Sequence, residues 1–292
     1  NNKEIRCTFS GKNQEYGKVI VPNLLEEVNK SNGPLSKAIK ERSSEKKTKL
    51  ETPGNALIFS YAGHDTTGNT LTWLIYELSK NQGLQQELYK EVQQFWDEQK
   101  DREIEYLDFK RLPFMTRCIM ETLRLWTPLP NGTYRELSKD EEIMGLEGKR
   151  VLLKKGTFIQ IPNFSRHLNP ELWGEDVLVF NPHREFRDEE LWENTVINSY
   201  NPSTKRFSPF TYGPRDCIGK NFSQIEMRLI LLHLLARYRF YLTEKQEKRY
   251  IQEDMSYNSF TSGPRNINNE IMEDPTQGMY VVIEERPSSA KL

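Results

Sequence analysis

The chain has 292 residues, which is long enough to bury the core of one large domain or of two smaller ones. Its 41 basic and 42 acidic residues leave a net charge of −1, which argues against the basic surface of a nucleic-acid-binding protein. Hydrophobic residues make up 36% and charged residues 28%, and no apolar run approaches the roughly 18 residues of a membrane-spanning helix.

The first half of the chain is predicted to be mostly helical. Residues 36–51 are rich in lysine and serine, and we expect them to form a solvated connector. Thr52 and Pro53 then suit the N-cap and the first position of a helix. Three helices are predicted, over 55–80 (mostly apolar and buried), 84–96 (amphipathic) and 114–126 (ended by Pro128).

The second half is predicted to add short strands and one more long helix. Strands are expected over 132–137, 150–153 and 157–161, with a hairpin that finishes the chain and ends at 278–283. The stretch 180–216 is too long for an ordinary connector, which indicates a functional loop. The last long helix covers 218–237, with a predicted apolar stripe of Phe222, Ile225, Leu229, Leu232 and Ala236. The predicted fold class is therefore mainly α with a minor β part.

The three cysteines are widely spaced and odd in number, so they form no disulfide framework, and a reducing compartment is the simpler interpretation. They are Cys7, Cys118 and Cys217. Cys217 follows a Gly-Pro turn and stands at the start of the last long helix. Backbone N–H groups and the helix dipole favour an anion there, so we predict a lowered thiol pKa and a thiolate that can bind a metal.

The neighbours of Cys217 suit a flat, acidic ligand. Gly219 has no side chain and would let such a ligand approach, Arg215 could pair with a carboxylate, and Phe210 could cover the sulfur. A lone cysteine at a helix start is more often a small buried residue. It could also be a catalytic nucleophile, although no histidine lies near it in the sequence to act as its base.

The joint pattern Phe-x-x-Gly-x-Arg-x-Cys-x-Gly over residues 210–219 decides between these alternatives. It resembles the haem-ligand signature of the cytochrome P450 family. The resemblance implies haem b as cofactor and Cys217 as the thiolate ligand of its iron. The other residues that it implies in cofactor binding are Phe210, Gly213, Arg215 and Gly219, with Arg135 as a weaker candidate for a propionate contact. Ser223 stands where many members of the family carry alanine.

A second motif, Glu121-x-x-Arg124, places a carboxylate and a guanidinium on one helix face. Most such pairs are exposed salt bridges that contribute little, but apolar neighbours predict that this one is buried. In the family, an arginine from a later Phe-x-Pro-x-Arg segment joins the pair, and Arg184 occupies that position here. Glu185 intervenes where the family usually has an aromatic residue. The resemblance implies that Glu121, Arg124 and Arg184 form a structural triad beneath the haem.

A third motif, Ala-Gly-His-Asp-Thr-Thr over residues 62–67, lies within the first predicted helix. Its threonines could simply bond back to the preceding turn, and His64 is more readily explained as a satisfied histidine than as a ligand. Nearby Gly63 and Gly68 could also loosen the helix locally, as a site for dioxygen and water would need. The run resembles the family's oxygen-activation motif. By that resemblance Thr66 donates a hydrogen bond to iron-bound oxygen and Asp65 relays protons from solvent.

The resemblance implies a P450 fold, of which this chain would be the C-terminal portion. We expect residues 1–292 to form a single haem-binding domain that is incomplete at its N-terminus, because the sequence begins at Asn1 without an initiator methionine or a targeting signal. The implied activity is a monooxygenase that inserts one atom of O2 into a lipophilic substrate. Electrons would come from NADPH through NADPH–cytochrome P450 reductase, and no nucleic acid takes part.

The implied location is the cytosolic face of the endoplasmic reticulum membrane, through an N-terminal anchor that precedes these residues. Two alternatives stay open. One is a thiolate-haem peroxygenase or isomerase that does not activate O2, against which the intact Asp65-Thr66 pair argues. The other is a truncated fragment without activity.

Overall fold

The computed structural model describes the chain in part, mainly between residues 51 and 243. The described residues are 3–7, 51–100, 102–145, 148–187, 190, 206–211, 215–243 and 279–287, with only the backbone described for 3–7, 51–53 and 279–280. The predicted connector before residue 51 and Gly213 of the cysteine motif lie outside them.

Helices dominate the described residues, which confirms the predicted fold class. They are α1 (Glu51–Lys80), α2 (Gln82–Gln99), a 3-10 helix (Tyr106–Arg111), α3 (Pro113–Leu125), α4 (Asn163–His167), α5 (Pro170–Trp173) and α6 (Lys220–Arg237). The two short helices and the 3-10 helix were not predicted, since four to six residues are too few to show a periodic pattern. No helix among the described residues is long and apolar enough to cross a membrane.

Antiparallel strands form three small sheets. The strands are β1 (Lys3–Cys7), β2 (Thr133–Glu136), β3 (Glu141–Met144), β4 (Arg150–Leu153), β5 (Phe158–Ile161), β6 (Tyr238–Leu242) and β7 (Met279–Glu285). Strand β7 lies between β1 and β6, with Ile5 opposite Val281 and Phe240 opposite Ile283. The other two sheets are the pairs β2–β5 and β3–β4. The sequence did not predict β1, β3 or β6. Strand β3 begins with two glutamates, and β6 continues directly from a helix, so neither shows the usual strand pattern.

The core lies between the second half of α1 and helices α2, α3 and α6. Trp73 of α1 stacks on Trp126, at the end of α3, with ring centroids 3.8 Å apart and planes 1° apart. The indole N–H of Trp126 also donates to Oε1 of Glu77 at 2.9 Å. Burial raises the pKa of Glu77 above its ordinary value, and this hydrogen bond offsets only part of the rise. These contacts fix α1 against the helix that carries the Glu-x-x-Arg pair.

Two glutamine side chains attach the sheet of β6 and β7 to this core. The buried amide of Gln85 donates to the carbonyls of Leu78 and Phe240 and accepts from the N–H of Phe240 at 2.9 Å. The amide of Gln82 donates to the same Phe240 carbonyl at 2.8 Å. Because buried backbone groups need partners, these side chains stand in for a neighbouring strand.

The predicted apolar stripe of the last helix is wrong in part. Helix α6 begins at Lys220, and its buried residues are Gln224, Met227, Arg228, Leu231, Leu232 and Leu235. Leu232 is buried as predicted, but Phe222 is 67% exposed. Two buried polar residues, Gln224 and Arg228, hide the true stripe from a hydrophobicity pattern, because hydrogen bonds to some of their polar atoms offset the cost of burying them. Arg228, for example, donates to Oγ1 of Thr116 and to the Gln224 carbonyl, both at 2.9 Å.

Glu91 of α2 caps the N-terminus of α3. Its carboxylate accepts from the N–H groups of Phe114 at 2.7 Å and Met115 at 2.8 Å. Burial raises the pKa of Glu91 to about 7, and the charge of Glu87 adds to the rise, whereas the two N–H groups and the charge of Arg228 oppose it. The carboxyl group therefore titrates near neutral pH at the start of the helix that carries Glu121 and Arg124.

We expect Glu91 to make the protein less stable as the pH rises from about 4.5 to about 7. The folded state holds this proton more tightly than the unfolded state, so the free energy of unfolding falls through that window and then levels off. The fall from this group is at most about 3 kcal/mol. Urea unfolding across the window measures it. Glu91→Gln serves as the control and should lose this part of the slope, and an unchanged slope in the variant would contradict the assignment.

Candidate functional site

The backbone around Cys217 forms a compact turn that leads into α6. The N–H of Cys217 donates to the Phe210 carbonyl at 3.0 Å, and the Cys217 carbonyl accepts from the N–H of Lys220 at 3.3 Å. Gly219 is the N-cap of α6. Cys217 thus lies just before the helix, where the first N–H groups of α6 have no partner within the helix.

The sulfur of Cys217 is close to two of these N–H groups, those of Gly219 and Lys220, which hydrogen-bond to it and lower its pKa. Desolvation has the larger effect and raises the pKa of the thiol above its ordinary value, and the charge of Asp216 adds to the rise. The predicted lowering is therefore wrong for the protein alone: although Cys217 as a residue is exposed, desolvation of its sulfur outweighs the helix terminus. A bound metal ion would reverse this balance, since a coordinating thiol is deprotonated.

The surroundings of the sulfur fit a flat apolar ligand. A Cβ added to Gly219 would lie 3.9 Å from Sγ, so glycine leaves that side of the sulfur open. Cys217 itself is exposed. Ile218, just before α6, and Phe222, in its first turn, are 76% and 67% exposed. Sequence reasoning missed Ile218 and assigned Phe222 to the core, although two exposed apolar side chains beside a ligand residue are what a macrocycle would cover.

The other predicted ligand-binding residues differ in their surroundings. Arg215 is exposed beside the cysteine turn, and Phe210 is half-buried and packs against the core cluster. Arg135 lies on β2, where its guanidinium donates to the Tyr134 carbonyl at 2.8 Å. Phe210 thus contributes its carbonyl to the turn, and the two arginines stay candidates for carboxylate contacts.

Glu121, Arg124 and Arg184 are in contact, and all three are buried. Arg124 binds Glu121 through two hydrogen bonds of 2.7 and 2.8 Å, and Nε of Arg184 donates to Oε1 of Glu121 at 3.2 Å. Both members of the pair on α3 have no exposed side-chain surface. The predicted burial of the pair is confirmed, and Glu185 does not prevent Arg184 from reaching it.

Backbone carbonyls and the carboxylate of Asp176 accept the remaining hydrogen bonds of the two guanidinium groups. Arg124 donates to the carbonyls of His167 at 3.0 Å and Val177 at 2.8 Å, and Arg184 donates to Oδ1 of Asp176 at 2.7 Å. Trp173 lies beneath Arg124, with 5.3 Å between the guanidinium carbon and the ring centroid. The sequence did not indicate Asp176 or the carbonyls, because nothing near them in the chain distinguishes them from other loop groups. Full satisfaction of this kind is what offsets the cost of burying charge.

His167 connects this cluster to the segment before the cysteine. It is fully buried, and its Nε2 accepts from the N–H of Ser208 at 3.1 Å while its carbonyl accepts from Arg124. Burial and the nearby charges of Arg166 and Arg124 hold the pKa of His167 well below its usual value. Arg166 also hydrogen-bonds to Oγ of Ser208. The triad is thereby linked to residues 206–211, which lead into the cysteine turn.

The Ala-Gly-His-Asp-Thr-Thr motif lies on α1, which continues unbroken through both glycines. Oγ1 of Thr66 donates to the Ala62 carbonyl at 2.7 Å, so its hydroxyl proton is engaged and its oxygen lone pairs are left to accept. Asp65 is half-buried and His64 is exposed. Helices α1 and α6 pack against each other, which makes neighbours of the two elements that carry the motifs.

Comparisons with known proteins agree with these motifs. A family model described as cytochrome P450 matches residues 25–269. Human cytochrome P450 4F8 is 35% identical over 191 residues, which are 65% of this chain and 34% of that protein. Human cytochrome P450 4F2 is 34% identical over 200 residues, 68% of this chain and 36% of that protein. Mouse leukotriene-B4 omega-hydroxylase 3 is 34% identical over 191 residues, 65% and 34% of the two chains. The chain therefore spans about a third of the length of the curated relatives it matches.

Proposed function

The chain belongs to the cytochrome P450 family, and we propose that it binds haem b through Cys217 as part of a monooxygenase. The observation that carries this proposal is the sulfur of Cys217, exposed before α6 and flanked by Gly219 and two uncovered apolar side chains. When bound, a thiolate-ligated haem supplies the O2 chemistry, and the protein orients the substrate and delivers protons.

We propose roles for this chain's own residues on each side of the cofactor. Cys217 would hold the iron, Ile218 and Phe222 would pack on the macrocycle, and Arg215 and Arg135 would pair with its carboxylates. Glu121, Arg124 and Arg184 would hold the core rigid beneath it. These roles are supported by the burial of the triad and by the exposure of Ile218, Phe222 and Arg215.

The oxygen-side residues would manage protons. Because the hydroxyl of Thr66 donates to Ala62, its oxygen is free to accept a hydrogen bond from a proton-bearing group in the pocket. Asp65, next to it and half-buried, would pass protons from solvent. This modifies the expectation from the sequence, in which Thr66 was the donor.

We propose a lipophilic substrate with a long chain, because one relative is named leukotriene-B4 omega-hydroxylase. The electrons would come from NADPH through a P450 reductase, and the whole protein would act at the endoplasmic reticulum membrane. We further propose that residues 1–292 belong to one haem-binding domain.

Substituting Thr66 with alanine tests the proton role. We expect NADPH oxidation to continue while product formation falls by about 10²-fold and hydrogen peroxide rises, because positioned proton transfer is lost. The measurement is NADPH consumed against product and peroxide formed, in the haem-loaded protein with reductase. Thr72→Ala is the matched control, since Thr72 bonds back to the Gly68 carbonyl at 2.8 Å on the same helix.

Full coupling of NADPH to product in Thr66→Ala would refute the relay. It would favour the peroxygenase or isomerase alternative, which needs no proton delivery to dioxygen. An equal loss in Thr72→Ala would assign the effect to the stability of α1.

A further inference from the structure

An ion pair spans the residue that would bind the iron. Asp216 stands one residue before Cys217 and Lys220 three residues after it, and Nζ of Lys220 lies 2.6 Å from Oδ2 of Asp216. Neither side chain is fully solvated, with 21% of Lys220 and 30% of Asp216 exposed. The pair therefore closes the cysteine turn through side chains. The hydrogen bond from the N–H of Lys220 to the Cys217 carbonyl closes the same turn through the main chain.

Lys220 takes part in this turn twice. Its backbone N–H is shared between the carbonyl and the sulfur of Cys217, the sulfur also accepts from the N–H of Gly219, and the side chain of Lys220 holds Asp216. Gly219 has no side chain that could keep its own backbone in place. The orientation of both N–H groups toward the sulfur thus depends on what fixes residues 216 and 220 relative to each other.

We propose that the Asp216–Lys220 ion pair is a clamp that holds the N–H groups of Gly219 and Lys220 on the sulfur of Cys217. The inference rests on the proposed function, in which that sulfur is the iron ligand. Hydrogen bonds to a metal-bound sulfur draw charge from it and tune the metal's reduction potential. Asp216 and Lys220 are therefore positioning residues, which act on the cofactor through the backbone of the turn.

Amide hydrogen exchange tests the clamp in the chain without cofactor. In Asp216→Asn and in Lys220→Gln, we expect the amide of Gly219 to exchange about threefold to tenfold faster. Its intrinsic exchange rate is unchanged, because Ile218 and Gly219 themselves are kept. Leu231 and Leu235, buried in the middle and last part of α6, should exchange as in the unaltered protein.

Two restoring variants separate a clamp from a simple effect of charge. The first variant is Lys220→Arg, and the second exchanges the two residues, Asp216→Lys with Lys220→Asp. Both keep an ion pair across the turn, so both should show the slow exchange of the unaltered protein at Gly219. Faster exchange along all of α6 would mean ordinary helix stabilisation and overturn the proposal. Unchanged exchange at Gly219, or no recovery in the exchanged pair, would also overturn it.

The haem-loaded protein gives the second measurement. Without the clamp, the sulfur keeps more charge, so the reduction potential of the iron should move to a more negative value in Asp216→Asn and return in the exchanged pair. An unchanged potential would refute the link to the cofactor. Failure of the proposed function is distinguishable, because it would appear as haem binding that does not depend on Cys217, whatever the exchange of Gly219.

Discussion

Substituting Cys217 with serine is expected to abolish thiolate ligation of haem. Serine leaves the main-chain hydrogen bonds of the turn to Phe210 and Lys220 in place, but its hydroxyl cannot replace a thiolate as the iron ligand. The ferrous carbonyl complex of the haem-loaded protein should lose essentially all of its red-shifted Soret band. Monooxygenase activity should be lost with it.

Cys118→Ala is the matched control for this substitution. Cys118 is fully buried in α3, and burial raises the pKa of its thiol well above its usual value, so it cannot supply a thiolate. The variant should keep the red-shifted band, although the lost packing will cost some stability. A red-shifted band that persists in Cys217→Ser would refute the assignment of the ligand.

Substituting Arg124 with methionine is expected to destabilise the protein by about 3–5 kcal/mol. The change leaves the Glu121 carboxylate buried with Arg184 as its remaining cation, and it removes the donors to the carbonyls of His167 and Val177. Domains of ordinary stability have only about 5–15 kcal/mol in total, so this loss is a large fraction of the free energy of unfolding. Urea unfolding followed by circular dichroism measures the change.

Arg150→Met is the control for the loss of an arginine as such. Arg150 pairs with Glu142 at 3.0 Å on the β3–β4 hairpin, where both side chains are largely exposed. Exposed pairs contribute little, because water and salt screen them. Comparable destabilisation in the two variants would show that burial of the triad is not what makes it stabilising.

The three motifs that suggest a site could be recognised in the sequence because each motif is local. The cysteine turn, the Glu-x-x-Arg pair and the Thr66 motif each lie within ten residues of chain. Periodicity, proline and glycine predicted α1, α2, α3 and α6, but the predicted bounds differ from the observed ones by up to four residues, and Thr52 lies inside α1 rather than at its N-cap. The burial of the Glu121–Arg124 pair was also predictable, because its neighbours on α3 are apolar. Local pattern is enough where backbone geometry alone places the side chains.

Only the tertiary structure decided which groups satisfy these residues. The carbonyls of His167 and Val177 reach Arg124 from more than 40 residues along the chain, and His167 reaches Ser208 across a similar span. The sequence predicted a low thiol pKa at Cys217 and a buried Phe222, and the structure shows the opposite of each. Both errors have one physical reason: the hydration of a group depends on what packs around it in three dimensions, and neither helix period nor position at a helix terminus contains that information.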